Sequence, residues 1–317
     1  MMLRLPVIIL CAMFTLVNLT GCSRQQIYDT AIGFERNAAD LEPRTVQVDH
    51  LTIAYLTNPP IRNAPTLVML HGFGANKDNW VRMAAALTER YNVLAIDLPG
   101  HGESSKPLDI GYTIADQVGY VHDILATLKP AAPVSLIGNS MGGAITALYA
   151  ATYPDQVSAA VLIDPAGIFE YDSELVDRVK HGENPLIVSK PGDFTKLVDF
   201  ALEKKPFVPW PIYSVMEDKA LANEAVNRVI FAAIRDSGYQ PAFRNALKQI
   251  TAPVLILWGR KDRVINVRNA DLFVDLIPDA RKIVLDGIGH APMVEDPDLT
   301  AALVDDFMTN AQHRDSE

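Results

Sequence analysis

In Gly138-Asn139-Ser140-Met141-Gly142-Gly143, glycines surround a single serine. An apolar run at residues 134–137 precedes it, and an Ala-rich segment with helical periodicity follows. Glycine tolerates the backbone crowding of a sharp turn from strand to helix, where a side chain would clash. The G-x-S-x-G pattern in this context is typical of a nucleophile elbow, a strained turn that projects the serine hydroxyl into a cleft.

Short apolar runs recur along the chain, and most of them are followed by a helical segment. Continuous rather than alternating hydrophobicity favours parallel strands covered on both faces. Strand and helix in alternation therefore predict an α/β fold with a mostly parallel, doubly wound sheet. After an antiparallel pair at 45–48 and 51–56, the predicted strands are residues 66–70, 93–96, 134–137, 159–163, 254–258 and 282–285.

The same patterns divide the chain into four parts. Residues 1–21 are predicted to be a signal peptide and residues 22–44 a tether with a short helical lead-in. Residues 45–165 and 241–317 form the predicted core. Residues 166–240 contain no predicted strand and form a helical cap inserted between two strands, with helices at 173–180, 194–203 and 219–234.

The N-terminal segment has the features of an exported protein. Arg4 precedes a mostly apolar run at residues 5–19, which is too short to span a bilayer comfortably and suits a signal peptide. Leu19-Thr20-Gly21-Cys22 resembles the lipobox of bacterial lipoproteins, which implies cleavage before Cys22 and lipidation of that residue. The residue after the cysteine is Ser23 rather than Asp, and by the sorting rule known for lipoproteins of enteric bacteria this implies attachment to the outer membrane. The alternative is an ordinary secretory signal that contains a cysteine by chance.

The charge balance argues against nucleic acid as a partner. The formal net charge is −10, and the chain has no run of Lys or Arg that could bind phosphates. Apolar residues make up 49% and charged residues 21%, which is ordinary for a globular enzyme with a sizeable core.

Candidate catalytic side chains follow the predicted strands. Ligands bind beyond the carboxyl ends of parallel strands, so the residues just after each run are the ones to consider. A serine hydroxyl needs a base that is itself oriented by an acid. His290 follows the strand at 282–285 and Asp262 follows the strand at 254–258, in the chain order serine, acid, histidine. Asp164, after the strand at 159–163, is the competing acid.

The oxyanion hole is predicted in the loop Leu70-His71-Gly72-Phe73-Gly74, which follows the strand at 66–70. The donors are the backbone N–H groups of Phe73 and Met141. His71 is a candidate for a second base, but a structural hydrogen bond to its own loop is the favoured interpretation.

With these loops in place, the chain resembles the α/β-hydrolase family from about residue 45 to its C-terminus. Asp97-Leu98-Pro99-Gly100-His101-Gly102-Glu103-Ser104-Ser105 matches a further loop of the family. Residues 71–80 and 139–144 look most like lipases from cold-adapted Gram-negative bacteria and membrane-associated monoacylglycerol lipases. The resemblance implies a serine hydrolase that cleaves carboxylic esters, acylglycerols above all, through an acyl-enzyme. It implies the same serine, aspartate, histidine and two amides, with no cofactor and no metal.

The expected partners are an ester or acylglycerol substrate and, through Cys22, a membrane. Candidate substrate-binding side chains lie near the proline cluster of the cap. Alternatively, these side chains seal the cap against the core or form an interfacial patch. These side chains are Phe207, Trp210, Ile212 and Tyr213.

Two other functions remain open from the sequence. Asn139, just before the serine, also occurs in relatives that hydrolyse carbon–carbon bonds of ring-cleavage products with the same machinery. A non-catalytic α/β-hydrolase-like binding protein is the second alternative, although such proteins often lack a triad member. Ser140 excludes the haloalkane dehalogenases, which need a carboxylate nucleophile.

Overall fold

The computed structural model describes residues 23–237 and 241–314. The predicted signal peptide and Cys22 lie outside the described residues. Within the described ranges, no helix combines the length and apolar character that a bilayer span requires.

Eight strands form one sheet. They are β1 (Glu42–Val48), β2 (Leu51–Thr57), β3 (Thr66–Leu70), β4 (Asn92–Ile96), β5 (Val134–Asn139), β6 (Val157–Ile163), β7 (Val254–Gly259) and β8 (Ala280–Leu285). Their spatial order is β1-β2-β4-β3-β5-β6-β7-β8. β2 pairs antiparallel with β1 and β4, and all other neighbours are parallel. The predicted doubly wound, mostly parallel sheet is confirmed.

Helices connect the strands and cover both faces of the sheet. In chain order they are α1 (Arg24–Ala38), α2 (Val81–Ala84), α3 (Ile114–Leu128), α4 (Met141–Thr152), α5 (Glu174–Lys180), α6 (Asp193–Ala201), α7 (Trp210–Ala222), α8 (Glu224–Ser237), α9 (Pro241–Leu247), α10 (Asn269–Leu276), α11 (Pro292–Glu295) and α12 (Pro297–Arg314).

The central strands are buried on both faces. Every residue of β3, β5 and β7 is buried. Along β3, Val68 and Leu70 belong to one apolar layer, whereas Leu67 and Met69 belong to the layer on the opposite face. Burial on both faces explains why the sequence shows unbroken apolar runs instead of alternation.

The parallel register brings the carboxyl ends of four strands to one edge. Leu70 pairs with Gly138, Asn139 with Ile163, and Ile163 with Leu257. The loops that follow β3, β5, β6 and β7 therefore meet at this edge, which is where ligands bind in sheets of this type.

The segment predicted as a tether with a short helical lead-in contains a 15-residue helix, α1, and the first strand begins at Glu42. Ser23 and Gln26 form a capping box at the start of α1. Arg24 donates to Ser214 Oγ of α7 at 2.8 Å, and Arg36 binds both carboxylate oxygens of Asp78 at 2.7 and 2.8 Å. Helix α1 is thus fastened to the cap at one end and to the core at the other.

The described residues between β6 and β7 form helices joined by loops and contain no strand. The predicted helices at 173–180 and 194–203 correspond to α5 and α6. The predicted helix at 219–234 instead spans the end of α7 and most of α8. The predicted helix is interrupted at Asn223, the C-cap of α7, where the backbone is not helical, and α8 begins at the next residue.

Candidate active site

Ser140 occupies a strained turn between β5 and α4. Its backbone angles are φ 54° and ψ −115°, a region that residues with a side chain rarely adopt. The turn is held by hydrogen bonds from the Ser140 N–H to the Ile163 carbonyl, 2.9 Å, and from the Ala166 N–H to the Ser140 carbonyl, 3.0 Å. These bonds to neighbouring segments hold the serine in its strained conformation, as expected for a functional residue.

The glycines on either side of Ser140 are required by close backbone approach. A Cβ at Gly138 would lie 2.1 Å from the Gly142 carbonyl oxygen, and one at Gly142 would lie 2.0 Å from the Leu70 carbonyl oxygen. Both distances are far inside van der Waals contact, so a side chain at either position would force the backbone apart.

Asp262 and His290 form a buried pair. The His290 Nδ1 atom lies 2.8 Å from Asp262 Oδ2, and the Asp262 side chain is fully buried. Asp262 Oδ1 also accepts the N–H groups of Val264, 2.7 Å, and Ile265, 3.0 Å. Three N–H donors stabilise the carboxylate as an anion, and the anion keeps the histidine proton on Nδ1. The Nε2 lone pair is then available as a base.

The loop that carries His290 is fastened to the residue before Ser140. The Asn139 side-chain amide donates to the His290 carbonyl at 3.0 Å and to the Ile163 carbonyl at 3.2 Å. The His290 N–H donates to the Ala201 carbonyl, at the end of α6 in the cap, at 2.9 Å. Sequence reasoning assigned Asn139 no role of its own, yet it connects the serine turn with the histidine loop.

The predicted oxyanion loop faces Ser140. A Cβ at Gly72 would lie 3.1 Å from the Ser140 Cβ, which shows how closely the two loops approach. Among the described residues, neither the N–H of Phe73, in this loop, nor that of Met141, the first residue of α4, donates to a backbone carbonyl of a turn, loop or cap. Both N–H groups can therefore donate to a developing oxyanion.

His71 has a structural environment. It is fully buried, its Nδ1–H donates to the Gly72 carbonyl at 2.8 Å, and its Nε2 accepts the Leu98 N–H at 3.1 Å. Burial, aided by the positive charge of Lys77, lowers the pKa of His71 to about 4. Both ring nitrogens are occupied and the ring is neutral, so His71 shapes the loop that follows β3.

A buried ion pair stabilises the segment that follows this loop. Lys77 and Asp97 are 1% and 0% exposed, and Lys77 Nζ lies 2.7 Å from Asp97 Oδ2. The Asp97 carboxylate also accepts the N–H groups of Lys77, 2.7 Å, and Glu103, 2.8 Å. Burial alone would lower the pKa of Lys77, but the charges of Asp97 and Asp78, together with the hydrogen bonds to Asp97 and Glu103, outweigh it and raise that pKa.

Asp164, the competing acid, does not bind the histidine Nδ1 atom. Its backbone φ is 44°, and its Oδ1 atom accepts the Gly259 N–H at 2.8 Å. Asp164, Asp262 and His290 each have one polar atom within 4.8 Å of the others, a spacing that could suit a cation. Amide and imidazole N–H groups already occupy the Asp262 oxygens and Asp164 Oδ1, so these residues fit a metal poorly.

The predicted cap residues have different positions. Phe207 and Trp210 are 84% and 70% exposed. Ile212 is half-buried, and the Tyr213 ring packs 5.0 Å from that of Phe194 within the cap. Tyr213 also donates to Thr195 Oγ1 at 3.3 Å.

Helix α8 packs against the predicted oxyanion loop. The Phe231 ring of α8 lies 5.6 Å from the Phe73 ring in an edge-to-face arrangement. Sequence reasoning did not single out Phe231, because only the folded cap brings it to the site. A separate cavity of about 740 Å³ lies beside α5 and α6. Its lining is largely charged and contains neither Ser140 nor His290, so this cavity is not the catalytic cleft.

Comparison with known proteins identifies the family. Residues 65–207 match the alpha/beta hydrolase fold. Lipase 1 of Psychrobacter immobilis is 35% identical to this chain over 85% of it and 85% of the lipase. The chain belongs to the α/β-hydrolase family. Monoacylglycerol lipase ABHD6 of Rattus norvegicus is 30% identical to this α/β-hydrolase, over 89% of the chain and 86% of the relative.

A solved structure extends the similarity to almost the whole chain. The crystal structure of a membrane phospholipase A, described as a novel bacterial virulence factor, matches the α/β-hydrolase with a TM-score of 0.88 and 40% identity. The match covers 97% of this chain and 98% of the phospholipase. This α/β-hydrolase is a carboxylic ester hydrolase.

Proposed function

We propose that this α/β-hydrolase cleaves acyl esters of glycerol lipids, with Ser140 as nucleophile, His290 as base and Asp262 as the acid that orients His290. The observation that carries the proposal is the buried His290–Asp262 pair, 2.8 Å apart, on a loop fastened to Asn139 beside the strained serine turn. A nucleophile, a base and an orienting acid are the minimum set for acyl transfer to a serine.

The reaction proceeds through an acyl-enzyme. His290 Nε2 accepts the Ser140 proton as Oγ attacks the ester carbonyl, and the Asp262 anion stabilises the imidazolium. The backbone N–H groups of Phe73 and Met141 donate to the oxyanion. The imidazolium then gives its proton to the departing alcohol, and water releases the fatty acid by the same steps. Removal of one oxyanion donor costs about 10²–10³-fold in rate in such enzymes.

The names of the relatives support a glycerol lipid as substrate. They include a lipase, a monoacylglycerol lipase and a membrane phospholipase A. Acylglycerols are the first candidate. Diacyl phospholipids are the second, favoured by the 40% identity to the phospholipase over 97% of the chain. The Phe73–Phe231 contact offers an apolar surface for an acyl chain beside the oxyanion loop.

The proposal includes a lipid anchor at Cys22 and attachment to the outer membrane. Ser23, the next residue, caps α1, and Arg24 bonds Ser214 of the cap. An anchor at Cys22 would therefore hold the cap beside the membrane, where the exposed Phe207 and Trp210 could contact lipid. Cys22→Ala should release the protein from the membrane fraction with its hydrolytic activity intact, and unchanged sedimentation would refute the anchor.

A substrate panel tests the reaction and the substrate class together. The full chain in detergent is assayed on p-nitrophenyl esters of increasing chain length, on monoacylglycerol and on diacyl phosphatidylethanolamine, with Ser140→Ala as the matched control. We expect the wild type to cleave esters of medium and long acyl chains, and Ser140→Ala to cleave none of them. Cleavage restricted to acetyl esters would refute the lipid substrate, and equal rates in Ser140→Ala would refute the nucleophile.

A further inference from the structure

The carboxyl group of Asp164 is unusual among the buried polar groups near the site. The residue is completely buried and follows β6 with a left-handed backbone. Its Oδ1 atom accepts the Gly259 N–H, whereas its Oδ2 atom is buried with no conventional donor among the described residues. A buried carboxylate oxygen without a donor is costly, so Oδ2 needs either a cation or a proton.

The titratable groups that face Asp164 supply no permanent positive charge. Asp262 and His290 each have a polar atom within 4.8 Å of it, and Glu295 of α11 adds a further negative charge. The Glu295 carboxylate is itself bound by the N–H of Gly289 at 2.9 and 3.0 Å. The Arg263 guanidinium points towards the cap, where it donates to the Phe200, Asp199 and Leu202 carbonyls.

Two neighbouring carboxyl groups in such a site share one negative charge, because two buried anions without a cation repel each other strongly. Asp262 accepts three N–H donors and Asp164 accepts one. The anion is therefore better stabilised on Asp262, and the proton belongs on Oδ2 of Asp164.

We propose that Asp164 is a positioning residue: as a neutral carboxylic acid it donates its Oδ2–H to the Asp262 carboxylate and holds that carboxylate against His290 Nδ1. The inference rests on the proposed roles of Asp262 and His290. Burial, and after it the negative charge of Asp262, raise the pKa of Asp164 well above its usual value, which agrees with the neutral state.

The neutral state has a catalytic consequence. A second anion beside His290 would stabilise the imidazolium in the resting enzyme and leave less free base at neutral pH. A neutral acid fixes the orientation of Asp262 without adding a second negative charge beside His290.

Three variants of the full chain test the proposal: Asp164→Asn, Asp164→Ala and, as the matched control, Asp262→Asn. The readout is the rate of serine labelling by a fluorophosphonate as a function of pH, with circular dichroism as the check on folding. The side-chain amide introduced by Asp164→Asn can donate to Asp262 and accept from Gly259, so this variant should keep the wild-type rate within about threefold and the same acid-limb pKa. Asp164→Ala should slow labelling about 10- to 100-fold, the usual effect of losing a hydrogen bond to a charged group. Asp262→Asn should slow it about 10⁴-fold.

An infrared difference spectrum reads the proton directly. Wild type minus Asp164→Asn at neutral pH should contain the C=O stretch of a protonated carboxylic acid. Absence of that band would overturn the proposal, as would wild-type labelling by Asp164→Ala. A 10⁴-fold loss in Asp164→Asn with a lowered acid-limb pKa would show that Asp164 is the ionised acid. If the wild type is not labelled, the proposed function fails, and the infrared spectrum still decides the protonation state.

Discussion

Gly142→Ala adds one methyl group at the point where the serine turn passes closest to the core. The new Cβ would lie 2.0 Å from the Leu70 carbonyl oxygen and 2.6 Å from that of His71. Contacts below 3.0 Å are not tolerated, so the start of α4 must move about 1 Å away from the oxyanion loop. Misplacement of a catalytic group by about 1 Å can cost about 10²-fold in rate. Overpacking costs about 1–3 kcal/mol, which exceeds the helix-propensity gain of about 1 kcal/mol.

The matched control is Gly119→Ala in the middle of α3. A Cβ there has no heavy atom within 4 Å, so the change brings only the propensity gain. We expect Gly119→Ala to raise the free energy of unfolding by about 0.5–1 kcal/mol and leave ester hydrolysis unchanged. Gly142→Ala should lower both stability and kcat/KM.

Urea unfolding and kcat/KM on one p-nitrophenyl ester are measured on the two variants side by side. Equal stability and equal kcat/KM for the two variants would refute the reasoning, because it would mean that the turn has room for a side chain.

Three further predictions concern the supports of the site. Lys77→Met should destabilise the fold by about 3–5 kcal/mol in urea because it leaves the Asp97 charge buried without its cation; an equal loss in Lys77→Met/Asp97→Asn would contradict this. Asn139→Ala should lower kcat about 10-fold with little change in KM, because the hydrogen bond that aligns the histidine loop is lost together with one to the Ile163 carbonyl; an effect on KM alone would argue for a substrate contact. Burial lowers the pKa of His71 to about 4 and that of His101 to about 3, against about 6.5 in the unfolded chain. Because the unfolded chain then binds more protons, stability should fall as the pH drops below about 6.5, by about 2 kcal/mol at pH 5 from His71 alone. A His71→Asn variant with the same pH dependence of urea unfolding would exclude that residue as the source.

The inner strands could be predicted because their burial on both faces leaves an unbroken apolar run. Residues 66–70 coincide with β3, and the other predicted strands differ from the observed ones by one or two residues at their ends, except that β1 begins three residues before the predicted 45–48. The positions of Ser140, Asp262 and His290 after such runs follow from the same pattern, since parallel strands end at a common edge.

Features that depend on distant contacts could not be predicted. The sequence predicts only a short helical lead-in within a polar tether where the 15-residue α1 lies, and the partner of Arg24, Ser214, is 190 residues away. The break between α7 and α8 at Asn223 could not be predicted, because no glycine or proline lies there. Asp164 is recognisable as an acid after a strand, but its hydrogen bond to Gly259 exists only because β6 pairs with β7.

The most direct test of the central claim is peptide mass spectrometry after reaction of the full chain with a fluorophosphonate. We expect a single covalent adduct on the peptide that contains Ser140, absent in Ser140→Ala and formed far more slowly in His290→Ala. An adduct on another residue, or undiminished labelling of Ser140→Ala, would contradict the claim that Ser140 is the nucleophile activated by the buried His290–Asp262 pair.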